Sequence, residues 1–235
     1  MIDEPGLAAR AESTFADATV LVLAKPPLPG LVKTRLEPCV GPSGAAALAG
    51  AFLADTWALV RSLGGVRPVL ATTTILPGFC ELAGGEQWLQ GDGDLGARLE
   101  RVLRRALEGT PRAIAIGADT PGLPRSLLER AHEHLARADA VLGPCVDGGF
   151  YLIGLRRCAR GLLADLPWST ERTYAATLAR LMERGLRTAV LPPWFDVDRP
   201  EDLVELRRRL DRGEIEAPRT AESLARVGLG KPHCQ

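Results

Sequence analysis

The sequence predicts an α/β fold, a three-layer α/β/α sandwich around a mostly parallel, mixed sheet. Short β-rich apolar runs alternate along the 235 residues with longer segments of helical periodicity. Several of the apolar runs show no alternation of apolar and polar residues, which is typical of strands covered on both faces. Strands that alternate with helices in this order build a sheet with helices packed on both sides.

Six apolar runs are predicted as strands, at residues 19–24, 67–73, 112–117, 139–144, 149–155 and 187–192. Four segments place apolar residues at three- and four-residue spacing with charges opposite, which predicts helices over 45–61, 95–109, 123–137 and 173–185. The motif D-R-P-E predicts a further helix that has Asp198 as its N-cap and Glu201 as the reciprocal capping residue.

The alternation of strands and helices, with no linker or repeat that would divide it, predicts a single domain over residues 19–212, with an N-terminal extension at 1–18. Residues 213–235 have no clear periodicity, which predicts a surface appendage or a partly disordered segment. The net charge is zero, so bulk charge favours neither nucleic acid nor an anionic membrane as a partner. The first residues lack the apolar core of a signal peptide, and no apolar run reaches the length of a membrane span. We therefore expect a cytoplasmic protein.

The five cysteines are an odd number and include no C-x-x-C pair. This spacing argues against a disulfide framework and against a structural zinc site. We expect free thiols in a reducing compartment.

Ligands of such folds bind beyond the carboxyl ends of the strands, so the segments that follow the strands are the candidate site. The first is A-K-P-P-L-P-G-L-V-K-T-R-L, which carries Lys25, Lys33 and Arg35 and no acidic residue before Glu37. Prolines stiffen this loop, and its cations suit the phosphates of a ligand. The alternative is a solvated basic loop that pairs with surface acids.

Acidic residues follow two other strands. Asp119 comes directly after the run ending at Gly117, where a carboxylate can hold Mg²⁺ or simply cap the next helix. The segment F-D-V-D-R-P-E-D-L adds Asp196 and Asp198, and spacing does not choose which of them would be the second metal ligand.

Three glycine-rich or aromatic segments complete the candidate site. Q-G-D-G-D-L-G-A-R-L suits close backbone approach to a flat ligand, although Asp94 is also a natural helix cap. V-D-G-G-F-Y predicts a turn that faces a pocket, or else a simple β-turn with core aromatics. P-W-S-T offers Trp168 to an acceptor and Ser169 or Thr170 as helix caps. The three histidines, His132, His134 and His233, are expected to be solvated rather than catalytic.

These motifs together resemble a known family. K-P-P-L-P-G-L-V-K-T-R-L, G-D-L-G-A-R-L, G-A-D-T-P-G-L, L-G-P-C-V-D-G-G-F-Y-L-I-G-L, P-W-S-T and D-V-D-R-P-E-D-L stand in the order found in the DUF2064 proteins, also called rSAM/selenodomain-associated transferase 1. The resemblance runs from about Thr19 to Leu210. It implies the nucleotide-diphospho-sugar transferase (GT-A) fold, with a more distant similarity to 2-phospho-lactate guanylyltransferase and the molybdenum-cofactor nucleotidyltransferases.

The resemblance also implies roles for individual residues. Contacts to the phosphates of a nucleotide are implied for Lys25, Pro29, Gly30, Lys33, Thr34 and Arg35. Contacts to the base or ribose are implied for Asp94, Gly96 and Arg98. Contacts to the acceptor are implied for Asp147, Gly148, Gly149, Trp168 and Ser169. Asp119 and Asp198 are the implied ligands of Mg²⁺ or Mn²⁺, and Asp119 and Lys33 are the implied catalytic pair. The sequence reads G-A-D-T where the fold usually has D-x-D, which leaves the metal geometry open.

The resulting hypothesis is a Mg²⁺-dependent transferase that takes a nucleotide donor and a small-molecule acceptor. Glycosyl transfer from an NDP-sugar is favoured by the family's usual assignment. Nucleotidyl transfer from an NTP to a phosphorylated acceptor is favoured by the K-T-R-L motif. A non-catalytic nucleotide-binding module is the third alternative. The sequence names neither the base, the sugar, the acceptor nor the oligomeric state.

Overall fold

Seven strands form one mixed sheet in the computed structural model, which describes residues 17–76 and 85–228. The strands are β1 (Ala18–Ala24), β2 (Val66–Thr72), β3 (Glu86–Leu89), β4 (Ala113–Gly117), β5 (Ala140–Pro144), β6 (Phe150–Leu155) and β7 (Thr188–Val190). Their order is β3-β2-β1-β4-β6-β5-β7, and β6 alone runs antiparallel to its neighbours β4 and β5. The predicted α/β fold with a mixed, mostly parallel sheet is confirmed.

Within the described residues, six α-helices connect and follow these strands. They are α1 (Glu37–Arg61), α2 (Leu95–Gly109), α3 (Arg125–His134), α4 (Thr173–Glu183), α5 (Pro200–Asp211) and α6 (Pro218–Val227). A short 3₁₀ turn, Thr34–Leu36, leads into α1. Gly41 interrupts the first turns of α1 with φ 69° and ψ 166°, and Pro42 follows it, so the long regular part of the helix begins after this pair.

The helices cover both faces of the sheet. Leu99 and Val102 of α2 share a buried cluster with Leu181 of α4 on one face. On the other face, Trp57 of α1 shares a second cluster with Leu128 of α3. Successive residues of β1 alternate between the two clusters, as the period of two in a strand requires. The apolar run of β1 therefore has no polar face, because each of its sides is covered by helices.

Strand β3 is absent from the predicted elements. Its four residues, E-Q-W-L, form an edge strand that pairs only with β2. Only Trp88 of the four is buried, with an exposed fraction of 4%, and the Arg105 guanidinium lies 4.0 Å from its ring centroid. One buried aromatic between a Glu, a Gln and an exposed Leu gives too short a pattern to indicate a strand.

Helix α6 contradicts the prediction that the chain beyond residue 213 lacks regular structure. It packs against α1, and Leu224 belongs to a third buried cluster with Leu48 and Phe52. Two of its buried positions are the polar residues Thr220 and Ser223. Within this helix Leu224 is the one large apolar side chain buried beside these two polar ones, and the sequence did not indicate this helix.

The N-terminus of α6 is capped by a buried carboxylate from α1. Asp55 accepts hydrogen bonds from the backbone N–H groups of Arg219 at 3.2 Å and of Thr220 at 2.8 Å, and its side chain is 5% exposed. We expect Asp55→Ala to lower the free energy of unfolding by about 1–3 kcal/mol, because it leaves two N–H groups without an acceptor. Urea denaturation measures this loss. Asp211→Ala, which removes an exposed carboxylate from α5, is the control, and equal effects of the two changes would contradict the capping role.

The first long helical segment also bears on a membrane assignment. Residues Thr34–Arg61 are long and apolar enough to cross a bilayer by length and composition. Half of the apolar window is buried inside the fold, and Leu48, Phe52 and Trp57 supply its core contacts. The core helix of a globular domain meets the same criterion, so this helix is weak evidence for a membrane span.

The cysteines correct one expectation. Cys39, at the start of α1, is disulfide-bonded, so the prediction that all five cysteines are free thiols is wrong. Cys145 and Cys158 are free and partly buried. Loop residues brought together by the fold can form a disulfide that sequence spacing does not reveal.

Candidate active site

The segment between β7 and α5 brings its acidic residues to the carboxyl edge of the sheet. Trp194 N–H donates to the carbonyl of Pro144 at 3.0 Å and extends the parallel pairing beyond β5. Three residues later, Val197 N–H donates to the carbonyl of Asp119 at 3.0 Å. Asp196 and Asp198 are the chain neighbours of Val197. Because alternate side chains of an extended segment point the same way, both carboxylates lie near Asp119.

The first loop is held by buried apolar residues on both sides of Lys33. Val32 is 7% exposed and Leu36 is fully buried, whereas Leu28 and Leu31 are at least half exposed. Leu36 N–H donates to the carbonyl of Lys33 at 2.8 Å and closes the turn. Lys33 itself has φ 47° and ψ 38°, a left-handed conformation that costs energy for a residue with a side chain.

This conformation directs the Lys33 side chain, which is 11% exposed, between two carboxylates. Its Nζ lies 3.1 Å from Oδ2 of Asp119 and 2.5 Å from Oδ1 of Asp198. Arg35 approaches the second carboxylate, with Nη1 3.7 Å from Oδ2 of Asp198. The structure therefore brings together three residues from the segments that follow strands β1, β4 and β7. Lys33, which the sequence predicts to contact phosphate, thus forms ion pairs with Asp119 and Asp198, the two predicted metal ligands.

Electrostatics keep this group ionised. Burial lowers the pKa of Lys33, but the carboxylates of Asp119 and Asp198 raise it by more, so the pKa lies above its ordinary value. The Lys33 ammonium holds the pKa of Asp119 below its ordinary value against the opposing effect of burial, and Lys25 contributes in the same direction. The Lys33 ammonium and the Asp119 carboxylate are thus both charged at neutral pH.

Gly117 makes room for the Asp119 carboxylate. A Cβ atom at Gly117 would lie 2.5 Å from Oδ1 of Asp119, closer than real Cβ contacts. The carboxylate therefore folds back over the last residue of β4, and this requires glycine at that position. The G-A-D-T motif is accounted for by this contact.

The predicted N-cap of α5 is wrong. Asp202 accepts hydrogen bonds from the N–H groups of Arg199 at 2.7 Å and Asp198 at 2.9 Å, and the N-cap is Arg199 rather than Asp198. Glu201 is not the capping partner. Asp202 satisfies the free N–H groups, so the carboxylate of Asp198 is available to Lys33 and Arg35.

A second group of possible ligands lies beside this pair. One ligand atom each from Cys145, Asp147 and Asp196 lies within 4.8 Å of the other two. Burial raises the pKa of Asp196 to about 7, and the neighbouring carboxylates, Asp147 foremost, add to the shift. Burial and the same acids raise the pKa of the Cys145 thiol far above its ordinary value. Among the described residues, neither Asp147 nor Asp196 forms an ion pair with a cation within 4 Å.

The double-glycine turn is packed against the segment that precedes α4. Gly148 has φ 89°, and a Cβ atom there would lie 2.1 Å from the carbonyl oxygen of Glu171. Asp147 accepts a hydrogen bond from Gly149 N–H at 2.8 Å. The close approach of Gly148 to Glu171 and the hydrogen bond of Gly149 hold both glycines in place, and the Asp147 side chain stays exposed at the turn.

Trp168 and Gly96 contact each other. A Cβ atom at Gly96 would lie 2.3 Å from Nε1 of Trp168, which donates to the carbonyl of Leu163 at 3.3 Å. The ring also makes an edge contact with Phe150 at 6.0 Å. Gly96, which the resemblance implies near the base or ribose, thus packs against Trp168, which it implies near the acceptor. This packing explains the glycine at position 96. Ser169 follows with φ 60°.

The caps predicted for α4 are also wrong. Its N-cap is Arg172, so Ser169 and Thr170 precede the helix. The Thr173 hydroxyl donates to the carbonyl of Pro167 at 2.7 Å and closes the P-W-S-T turn.

In the glycine-rich segment before α2, Asp94 has the role of a helix cap. Asp94 caps α2 by accepting from Ala97 N–H at 2.8 Å, while Arg98 Nε donates to the carbonyl of Asp94 at 3.3 Å. Arg101 donates to the carbonyls of Gln90 and Asp92 and holds the loop. Asp94 is exposed and Arg98 is half-buried at the carboxyl edge of the sheet, and their predicted nucleotide contacts stay predictions.

Gln90 is a positioning residue that the sequence did not indicate. It is 3% exposed, and its Nε2 donates to the carbonyls of Ala71 at 2.8 Å and Ala24 at 3.2 Å. It therefore ties the end of β1, next to Lys25, to the end of β2. Because strand β3 was not predicted, nothing in the sequence marked the residue after it as buried.

The other predicted site residues of the first loop are exposed. Lys25, Pro29, Gly30 and Thr34 lie on its surface, and Leu31 N–H donates to the carbonyl of Leu28 around the turn. His132 lies at the opposite edge of the sheet, 3.1 Å from Asp17, away from this site. The expectation that it is not catalytic agrees with that position.

Comparisons with known proteins support the resemblance. A family model described as "Uncharacterized protein conserved in bacteria (DUF2064)" matches residues 59–170. The predicted resemblance to DUF2064 is thereby confirmed, and the matched region includes Asp94, Asp119, Asp147 and Trp168.

Other proteins extend the similarity beyond the DUF2064 match. The chain is 28% identical over 178 residues to a 2-phospho-L-lactate guanylyltransferase from Methanothermobacter thermautotrophicus, covering 74% of this chain and 78% of that protein. It resembles the crystal structure of a protein assigned as a nucleotide-diphospho-sugar transferase from Desulfovibrio desulfuricans G20, with a TM-score of 0.80, 26% identity and coverage of 90% and 96%. A CMP-2-keto-3-deoxy-manno-octonic acid synthetase complexed with CTP shares the fold, with a TM-score of 0.55, 16% identity and coverage of 85% and 100%.

These proteins agree at the level of enzyme class. The guanylyltransferase and the nucleotide-diphospho-sugar transferase both belong to the transferases. The prediction that this chain is an enzyme of the transferase class, built on the nucleotide-diphospho-sugar transferase fold, is confirmed at this level.

Proposed function

We propose that this chain is a transferase that takes a nucleotide donor, depends on Mg²⁺ or Mn²⁺, and transfers a glycosyl group from an NDP-sugar to a small acceptor. The observation that carries the proposal is the Lys33 ammonium, which contacts the carboxylates of Asp119 and Asp198 at the carboxyl edge of the sheet. Ligands of doubly wound folds bind at that edge.

The two carboxylates fit a divalent cation. Asp119 and Asp198 each direct one oxygen at a single point, where the Lys33 ammonium now stands as a positive charge. Carboxylate oxygens are the ligands that Mg²⁺ prefers, and one or two of them commonly suffice beside the phosphates of a substrate. A cation bound there would supply positive charge to the diphosphate that departs.

The cations of the first loop would then change partners. When a divalent cation takes the carboxylates, Lys33 loses both of its present partners and becomes available to a phosphate oxygen. Arg35, whose side chain is 65% exposed, and Lys25 lie on the same loop. A guanidinium suits the paired oxygens of a phosphate, and an ammonium acts as a point charge. The left-handed backbone at Lys33 positions this charge before the donor arrives.

Asp147 and Asp196 support an acceptor that brings a hydroxyl group. Both carboxylates adjoin the Lys33 site, and neither has a cation within 4 Å among the described residues. A phosphorylated acceptor would meet uncompensated negative charge here, whereas a hydroxyl would meet a carboxylate able to accept its proton. The acceptor oxygen would bond to the anomeric carbon, the bond from that carbon to the phosphate oxygen would break, and the nucleoside diphosphate would leave.

Nucleotidyl transfer is the second candidate, and a specific observation favours it. The guanylyltransferase relative is 28% identical over 178 residues, and the K-T-R-L motif lies in the loop that holds Lys33. In this chemistry an acceptor oxygen would attack the α-phosphorus of an NTP, and pyrophosphate would leave. The same loop cations and carboxylates would serve either donor.

A ligand panel separates the two candidates. The protein is incubated with MgCl₂ and each NTP or NDP-sugar, and the shift of its melting temperature is measured. We expect at least one NDP-sugar to stabilise the fold by several degrees, because a ligand that binds only the folded state raises its stability. Stabilisation by NTPs alone would overturn the glycosyl version, and the absence of any nucleotide response would overturn both.

A further inference from the structure

A strongly basic groove lies along helix α2, outside the candidate active site. Two adjoining cavities of about 550 and 290 Å³ share Arg104 and Glu108. Six arginines and two glutamates line them, an excess of four positive charges on a chain whose net charge is zero. The arginines are Arg101, Arg104, Arg105, Arg156, Arg157 and Arg160.

The topology separates this groove from the Lys33 site. Leu155 at the end of β6 pairs with Ala113 at the start of β4, because the two strands are antiparallel. Arg156 and Arg157 therefore follow β6 at the edge of the sheet opposite Asp119. The five residues of β4 span about 16 Å between those edges. The part of the groove formed by Arg156 and Arg157 therefore lies apart from Lys33, whereas its other end, at Ala97 and Arg101, adjoins the segment that carries Asp94.

The charges of the groove are not neutralised within the described parts of the chain. No carboxylate lies within 4 Å of the guanidinium groups of Arg104, Arg156, Arg157 or Arg160 among residues 17–76 and 85–228. Both oxygens of Glu100 are occupied by the N–H groups of Gly161 and Leu163, so this glutamate serves to hold the wall of the groove. Like charges held together favour an anionic ligand.

The shape of the groove indicates an extended ligand. Its first wall runs along α2 from Ala97 to Glu108, a rise of about 16 Å at 1.5 Å per residue. Its second wall is the segment from Arg156 to Arg160, and Leu107 and Cys158 form an apolar floor between them. Glu108 stands at the junction of the two cavities, where it would repel a continuous row of phosphates but accept an N–H group. An acidic peptide offers carboxylates, N–H groups and apolar contacts in this spacing.

We propose that this groove is an interaction surface for an acidic, extended segment of a partner protein. Arginine forks suit carboxylates geometrically, and several exposed pairs together provide both affinity and orientation.

A labelled peptide tests the proposal on the full chain. A fluorescein-labelled dodecapeptide of alternating Glu and Ser is titrated with the protein, and its anisotropy is followed at low and high salt. We expect binding that weakens with salt and that falls about tenfold in Arg104→Gln/Arg157→Gln. Arg130→Gln/Arg137→Gln removes the same charge from α3 and the turn after it, on the other face of the sheet, and should leave binding unchanged.

Other outcomes overturn the proposal. Absence of peptide binding, or equal losses in the two double variants, would remove the groove as the binding surface. Tighter binding of a dodecauridylate or of tripolyphosphate than of the peptide would assign the groove to phosphate chains instead. If Arg104→Gln/Arg157→Gln melts at a lower temperature, Arg156→Gln/Arg160→Gln replaces it, since both of these side chains are exposed. Nucleotide-induced melting shifts should be the same in wild type and variant.

Discussion

Lys33→Ala is expected to have opposite effects on metal binding and on transfer. Removal of the ammonium leaves Asp119 and Asp198 directed at one point without a positive charge. We expect the donor-free protein to bind Mg²⁺ or Mn²⁺ about tenfold more tightly, because the metal ion no longer has to displace an ammonium from the two carboxylates. We also expect kcat/KM for the donor to fall about 10²- to 10³-fold, because a positioned positive charge is lost from the departing diphosphate.

Two measurements check the opposite signs. Calorimetric titration of Mn²⁺ into the donor-free protein gives the metal affinity, and initial rates with the donor found in the ligand panel give kcat/KM. Lys25→Ala is the matched control, since Lys25 lies on the same loop and has no carboxylate within 4 Å among the described residues. Unchanged metal affinity in Lys33→Ala would show that the ammonium and the cation do not share a position.

Asp119→Ala is expected to abolish the metal dependence of donor binding while the fold is kept. The carboxylate is 43% exposed, and among the described residues it forms an ion pair with Lys33 alone, so its loss removes little of the core. Asp198 alone would leave a site with one carboxylate, and we expect activity to fall by about 10²- to 10³-fold. Lys33 keeps its contact with Asp198 in this variant.

The readout is the difference in donor affinity with and without MgCl₂. Wild type should bind the donor more tightly with the metal, and Asp119→Ala should bind it equally in both conditions. Asp211→Ala, which removes an exposed carboxylate from α5, should behave as wild type. A full metal response in Asp119→Ala would assign the cation to the Cys145, Asp147 and Asp196 group instead.

Periodicity was sufficient for most of the fold, because its central strands are buried on both faces. The apolar runs that became β1, β4 and β6 have continuous apolar side chains, and helices cover them from both sides. The pattern failed where burial is partial or polar. Strand β3 buries only Trp88 of its four residues, and α6 buries the polar Thr220 and Ser223 beside Leu224. The Cys39 disulfide depends on chain segments that meet only in the folded protein.

The sequence predicted which segments meet at the candidate site. It did not predict which of their charged side chains form ion pairs. Strand ends indicate which segments meet, and Lys33, Asp119 and Asp198 do meet. Sequence cannot show that Asp202 takes over the cap of α5, which frees Asp198 for Lys33. Nor does it show that Gly96 serves Trp168 by packing, because both roles of a glycine look alike in one chain.

The hydrogen bond from Val197 to the carbonyl of Asp119 joins positions nearly eighty residues apart in the chain. During synthesis Lys33 and Asp119 therefore leave the ribosome long before Asp198 does. During that interval the nascent polypeptide has most of the sheet but only part of its charge cluster. Competence for the reaction would arise abruptly, near the end of synthesis, when the segment after β7 docks.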